Sequence, residues 1–86
     1  MKVTVKYFAS IRESIGQGSE VLQTSATTLG QLRHELAMRG GAYSDCLEAA
    51  FKGKTLRMAL NQDMSDDAAL LTEGCEVAFF PPVTGG

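Results

Sequence analysis

The last eight residues of the chain, Phe79 to Gly86, have the residue types that suggest chemistry. Pro81 and Pro82 lack backbone donors, so a strand that reaches them must end there. The six residues from the first proline to the chain end span about 20 Å when extended, enough to enter another protein's active site. Gly85 and Gly86 have no side chains, so they could thread a narrow channel and present a terminal carboxyl group.

We expect Gly86 to be a free chain end whose carboxylate is unreactive until it is activated. Attack on the α-phosphate of ATP would give an acyl adenylate, which a sulfur donor could convert into a thiocarboxylate. The sequence has no phosphate-cradling glycine loop. We therefore expect the chain to bind no cofactor itself and a partner to consume the ATP. The alternative is that the terminal glycines form only a frayed end, but a strand and two prolines before them favour a working tail.

Composition excludes several classes of function. The chain has 86 residues, 44% of them hydrophobic, and a net charge of −2, which indicates one globular domain without a basic cluster for nucleic acid. The longest apolar run, Val77 to Phe80, is far too short to cross a bilayer, so we expect a cytoplasmic protein without a membrane role. Cys46 and Cys75 are too few for a metal cluster and are expected to be reduced thiols.

The N-terminal third predicts two strands around a helical turn. Residues 1–8 alternate apolar and polar side chains, the period of a half-buried strand. Ser10 and Glu13 form a capping box that would begin a short helical turn, which Gly16 and Gly18 would end. Residues 20–24 are then expected to pair antiparallel with the first strand.

The strongest helical signal covers residues 29–39. Thr28 is a suitable N-cap, and leucines at positions 29, 32 and 36 recur at helical spacing. His34 falls opposite that stripe, so we expect the single histidine to be exposed and to have no catalytic role.

The C-terminal half predicts shorter elements. Residues 43–51 are ambiguous between a short helix and a loop, and residues 56–60 are extended. A further helical turn is expected within residues 66–71, and the last strand covers residues 76–80 after a turn at 73–74. The order of elements predicts an α+β domain over residues 1–80 and a tail over residues 81–86.

Side-chain phase also predicts a docking patch. Phe8 is out of phase with the core residues of the first strand, and Phe80 with those of the last, so both rings are expected on the outer face beside the tail. Met64 and Arg12 would extend this patch. The alternative is that one or both rings close an edge of the core.

These residues resemble a known family. The ending Glu76-Val77-Ala78-Phe79-Phe80-Pro81-Pro82-Val83-Thr84-Gly85-Gly86 is similar to that of the MoaD family, the small subunits of molybdopterin synthase. The segments Val5 to Glu13 and Ala59 to Gln62 are also similar to this family, so the resemblance spans the chain. The sequence departs from it at Cys75, where the family usually has Asp.

The resemblance implies a β-grasp (ubiquitin-like) fold, with a small mixed sheet on one main helix and a flexible Gly-Gly tail. It also implies that an E1-like adenylyltransferase and a sulfurtransferase or other sulfur donor convert Gly86 into a thiocarboxylate. The tail, residues Pro81 to Gly85, would then enter the large subunit of molybdopterin synthase. There sulfur passes to cyclic pyranopterin monophosphate in a heterotetramer that holds the active site on the large subunit.

Three alternatives share parts of this pattern. A sulfur carrier for thiamine synthesis or tRNA thiolation would use the same glycine chemistry, although Phe-Phe-Pro-Pro-Val favours the molybdopterin branch. A ubiquitin-like protein modifier would form isopeptide bonds. A plain interaction module would not need Gly85 and Gly86 at all.

Overall fold

In the computed structural model, residues 1–48 and 56–81 are described. Five strands and three helices lie within these two ranges. In chain order they are β1 (Lys2–Tyr7), α1 (Ala9–Ile15), β2 (Ser19–Gln23), α2 (Leu29–Ala37), α3 (Gly41–Leu47), β3 (Arg57–Leu60), β4 (Asp63–Ser65) and β5 (Glu76–Phe80).

The strands form one mixed sheet in the order β2-β1-β5-β3-β4. β1 pairs antiparallel with β2 and parallel with β5, while β3 pairs antiparallel with both β5 and β4. The last strand in the sequence is therefore the central strand of the sheet. The predicted α+β class, the first and last strands and the pairing of β1 with β2 are confirmed.

The core lies between one face of this sheet and the helices. Val3, Val5 and Tyr7 of β1 are at most 1% exposed, and they pack with the three leucines of α2 in one apolar cluster. The Tyr7 ring stacks on Phe79, with ring centroids 6.1 Å apart. The alternation of β1 and the helical spacing of α2 thus place their apolar residues as predicted.

Helix α2 begins where the sequence indicated. The Thr28 side chain accepts a hydrogen bond from the Gln31 backbone N–H, and the Gln31 side chain in turn accepts from the backbone N–H of Thr27. His34 is exposed, as predicted. The helix ends at Ala37, two residues earlier than expected, and Gly40 adopts a positive φ before α3.

The predicted capping box before α1 is wrong. Phe8 occupies the N-cap position with no side-chain cap, and Ser10 is already the second residue of the helix. The Phe8 carbonyl, at the end of β1, itself accepts from the backbone N–H groups of Ile11 and Arg12. The helix can therefore begin directly after the strand, and it ends at Gly16 as predicted.

The helical turn predicted within residues 66–71 is also wrong. The Asp66 side chain accepts from the Ala68 N–H and makes a local turn. The chain then runs extended, with Leu70 bridging Thr28 and the Ala69 carbonyl accepting from the N–H of Leu29. The carbonyl groups of this segment accept hydrogen bonds from N–H groups at the start of α2, so they are not available for hydrogen bonds within a helix of their own.

Candidate functional site

The outer face of the sheet, opposite the helices, contains the candidate site. Pairing places Ala59 beside Ala78 on this face, with Lys6 on one side and Met64 on the other. Both alanines are at most 5% exposed, yet neither belongs to the core cluster. The centre of this face therefore consists of two small apolar side chains that are almost completely covered by their neighbours.

Phe8 and Phe80 form an aromatic pair at one end of the outer face. Their ring centroids lie 4.7 Å apart with an angle of 9° between the planes. Phe8 is 39% exposed and Phe80 half-buried, and neither ring joins the core cluster. The pair stands directly before Pro81.

The backbone of Phe8 is fixed at both of its polar groups. Its N–H donates to the Phe79 carbonyl at 3.2 Å, and its carbonyl accepts from Ile11 and Arg12 at 3.1 and 3.3 Å. The next residue, Ala9, has a φ of 51°, in the left-handed region. That conformation costs a residue with a Cβ about 1–2 kcal/mol. The chain therefore reverses sharply after Phe8 and leaves its ring on the outer face.

The other two predicted patch residues lie apart from the rings. Met64 is 61% exposed and occupies the edge strand β4, in the same row as Ala59. Arg12 is bonded to Phe8 through its backbone, but its side chain packs on Gly18, where a Cβ would lie 3.1 Å from the Arg12 Nε atom. The patch is thus a row across the sheet with Arg12 at its margin.

Two charged residues of this face, Lys6 and Arg57, were not predicted to belong to the docking patch. Lys6 lies beside Ala78, and its Nζ is 3.6 Å from Oε1 of Glu76. Arg57 pairs in register with Phe80 and so shares its face. The alternation of β1 already places Lys6 on this polar face, whereas Arg57 needs the pairing of β3 with β5, which a single sequence does not contain.

The hairpin between β3 and β4 is tied to β5 by Asn61. Its side-chain Oδ1 accepts from the Glu76 N–H at 2.9 Å, and its own N–H donates to the Glu76 carbonyl at 2.8 Å. Asn61 and Gln62 both have positive φ, of 50° and 72°. Asn tolerates this conformation well, which suits the tight turn that brings Met64 back to the outer face.

A polar network supports β1 from the helix side. The Tyr7 hydroxyl donates to Glu20 Oε2 at 2.7 Å, and Arg39 donates to both oxygens of the same carboxylate at 3.1 and 3.0 Å. Burial, then the hydrogen bond to Glu20, raises the pKa of Tyr7 well above its ordinary value. Burial lowers the pKa of Arg39, but its bond to Glu20 and that carboxylate's charge outweigh this and raise it.

The predicted tail residues Pro82, Val83, Thr84, Gly85 and Gly86 lie outside the described residues. Pro81 is half-buried and follows β5 directly. Cys46 and Cys75 are both free thiols, and Cys75 is buried in the turn before β5. Within the described ranges there is no cluster of three or more metal-ligating side chains, and no helix is long and apolar enough to cross a membrane.

Comparison with known proteins gives the family. The sequence pattern of the ThiS family matches residues 5–86. The chain belongs to the ThiS family. Over 84 residues this ThiS family member is 39% identical to the molybdopterin synthase sulfur carrier subunit of Haemophilus influenzae, and the match covers 98% of this chain and 99% of that protein.

Solved structures resemble the same ThiS family chain along its length. It matches a chain in the Helicobacter pylori complex of subunits 1 and 2 of the molybdopterin-converting factor, with a TM-score of 0.66, 25% identity and full coverage of both chains. It also matches SAMP1 from Haloferax volcanii, with a TM-score of 0.76, 20% identity and full coverage of both chains, which shows the fold alone. These matches confirm the predicted β-grasp (ubiquitin-like) fold.

Proposed function

We propose that this chain is the sulfur carrier subunit of a molybdopterin synthase and carries sulfur as a thiocarboxylate on Gly86. The central observation is the position of the Phe8 and Phe80 pair. It forms an exposed aromatic surface directly before Pro81. A partner bound there would therefore lie next to the start of the tail, residues 81–86. The name of the Haemophilus influenzae relative supports the same function.

The proposed chemistry starts with an E1-like adenylyltransferase. The Gly86 carboxylate attacks the α-phosphorus of ATP, pyrophosphate leaves, and an acyl adenylate forms. Hydrosulfide from a sulfur donor then attacks the acyl carbon and displaces AMP, which gives the thiocarboxylate and releases one proton. ATP is thus consumed by the partner, and the chain itself binds no cofactor.

The second half of the cycle takes place in the large subunit. Residues Pro81 to Gly85 guide the thiocarboxylate into the large subunit's active site, where its sulfur is transferred to cyclic pyranopterin monophosphate. Water restores the carboxylate, and two such donations complete one dithiolene. The chain is therefore a recharged co-substrate of a heterotetrameric sulfur transferase.

The body of the protein supplies the docking platform in this scheme. Phe8, Phe80 and Met64 would contact the large subunit, with Arg12 at the margin. The two free thiols suit the reducing cytoplasm, where we place the reaction.

The deciding experiment is the intact mass of the chain after incubation with the E1-like adenylyltransferase, ATP and sulfide. We expect a gain equal to the exchange of one oxygen for one sulfur, and no gain in a variant that lacks Gly86. No gain in the full-length chain, with an enzyme active on another carrier, would leave only an interaction module.

A second measurement separates the pathways. The sulfur-loaded chain, mixed with the large subunit and cyclic pyranopterin monophosphate, should lose its sulfur and form molybdopterin. Loading without this transfer would assign the chain to another thiolation pathway, and SDS-stable conjugates would indicate a protein modifier.

A further inference from the structure

The charges on the outer face are opposite in sign to the charge of the whole protein. Strand pairing places twelve residues of the five described strands on this face, and four of them are charged: Lys2, Lys6, Arg57 and Glu76. Three basic groups against one acidic group make the face positive, although the chain carries a net charge of −2. Most acidic residues must therefore lie elsewhere.

The basic groups are available to an incoming surface. The side chains of Lys6 and Glu76 are 43% and 30% exposed, and their charged atoms are 3.6 Å apart. An ion pair this exposed contributes little stability, so Lys6 can exchange Glu76 for another carboxylate. Arg57 is exposed, and no acidic group among the described residues forms an ion pair with it.

These charges border an apolar centre. Ala59 and Ala78 lie side by side between Lys6 and Met64, and Phe80 stands next to Arg57. Interfaces between proteins combine a desolvated apolar centre with a charged rim, and complementary rims speed up association. On this face Met64 and Phe8 are 61% and 39% exposed and Arg57 is exposed, so apolar and basic side chains are both open to a partner.

Resting on the proposed function, we propose that the large-subunit surface that covers this face is acidic around an apolar centre, and that Lys6 and Arg57 steer its docking. The occupant is a folded protein and not a single-stranded nucleic acid. Phe8 and Phe80 stack on each other instead of standing apart as separate platforms for bases, and Glu76 lies within the face.

The test is the association rate constant of the chain with its large subunit, measured at low and high salt. Lys6→Gln and Arg57→Gln each remove one positive charge from the face, and Glu76→Gln removes its negative charge. The control His34→Glu lowers the net charge by the same unit from the exposed side of α2, which packs on the opposite face of the sheet. Thermal unfolding of every variant shows whether it is folded.

We expect Lys6→Gln and Arg57→Gln to slow association by about twofold to tenfold at low salt, and Glu76→Gln to accelerate it. The differences should shrink at high salt because exposed charges are then screened. His34→Glu should associate like the wild type.

Three results would overturn this inference. All variants could associate at the wild-type rate, Lys6→Gln or Arg57→Gln could associate faster than the wild type, or His34→Glu could slow association as much as they do. Absence of wild-type binding, or tighter binding of a labelled single-stranded oligonucleotide than of the large subunit, would also overturn it. The mass gain at Gly86 is measured separately, so charge-dependent binding without sulfur loading would refute the proposed function and leave this inference standing.

Discussion

Phe8 and Phe80 stack face to face, with ring centroids 4.7 Å apart. Phe8 directly follows β1, and Phe80 is the last residue of β5. Their neighbours Tyr7 and Phe79 stack 6.1 Å apart on the other side of the sheet. Two aromatic pairs that are adjacent in sequence therefore lie back to back. The inner pair fills the core, and the outer pair is free for a partner.

This arrangement predicts that substitutions at two adjacent residues affect different properties, binding at Phe80 and folding stability at Phe79. Phe80→Ala should weaken large-subunit binding by at least about tenfold, since an aromatic ring that becomes desolvated at an interface is a typical hot spot. Its loss of folding stability should be limited to about 0.5–2 kcal/mol, because the ring is only half-buried. Isothermal titration calorimetry and urea unfolding measure the two quantities.

Phe79→Ala is the matched control. Phe79 is fully buried, so its truncation should cost about 3–5 kcal/mol of stability. If Phe80→Ala lowers stability but leaves the affinity unchanged, the outer pair is not a docking surface.

The Tyr7 hydroxyl predicts a loss of stability at alkaline pH. Its pKa is raised in the fold by burial and by Glu20, so the folded state keeps the proton where the unfolded state loses it. The stabilisation is complete below about pH 10, the ordinary tyrosine value, and falls by up to about 1.4 kcal/mol per pH unit above it. Urea unfolding of wild type and Tyr7→Phe between pH 8 and 11 measures the difference, and identical slopes would contradict this assignment.

In the turn at Asn61 and Gln62, we expect one substitution to stabilise the fold and another to destabilise it. Gln62→Gly should add up to about 1 kcal/mol, because glycine adopts the positive φ without a Cβ penalty. Asn61→Ala should cost about 1–2 kcal/mol, because it removes the acceptor for the Glu76 N–H and leaves a Cβ at positive φ. Denaturant midpoints should move in opposite directions; a shift in the same direction would show that the turn is unstrained.

Gly30 in α2 is a position where replacing glycine by alanine should lower stability, contrary to the usual helix propensity. Gly→Ala within a helix usually adds about 1 kcal/mol. Here the new Cβ would lie 2.8 Å from the Cβ of Asp67, so Gly30→Ala should instead destabilise by about 1–3 kcal/mol. The double variant with Asp67→Gly removes the contacts with the Asp67 side chain but keeps its backbone oxygen 3.2 Å from the new Cβ, so it should recover part of the loss. Thermal melts of the singles and the double measure this coupling, and strict additivity would argue against the clash.

The elements with a clear hydrophobic period were predicted correctly from the sequence. The alternation in β1, the leucine spacing in α2 and the run before Pro81 gave the first strand, the main helix and the last strand. β4 has only three residues between polar neighbours, so no period could reveal it. The extended segment at Leu70 exists because it satisfies donors at the start of α2, which is a tertiary effect.

The candidate site was predictable to a similar extent. Phase alone placed Phe8 and Phe80 outside the core. Their stacking depends on the parallel register of β1 and β5 and on the left-handed Ala9, which no local pattern contains. Arg57 enters the site only through the pairing of β3 with β5, so this part of the basic rim could not be seen in the sequence.

The position of β5 has a mechanical consequence. A force applied at Pro81 along the chain is carried into the central strand, which is held on one side by β1 and on the other by β3. Such a load shears several inter-strand hydrogen bonds at once instead of peeling them one by one. A pull on the C-terminal end therefore loads the central strand in shear against both of its neighbours.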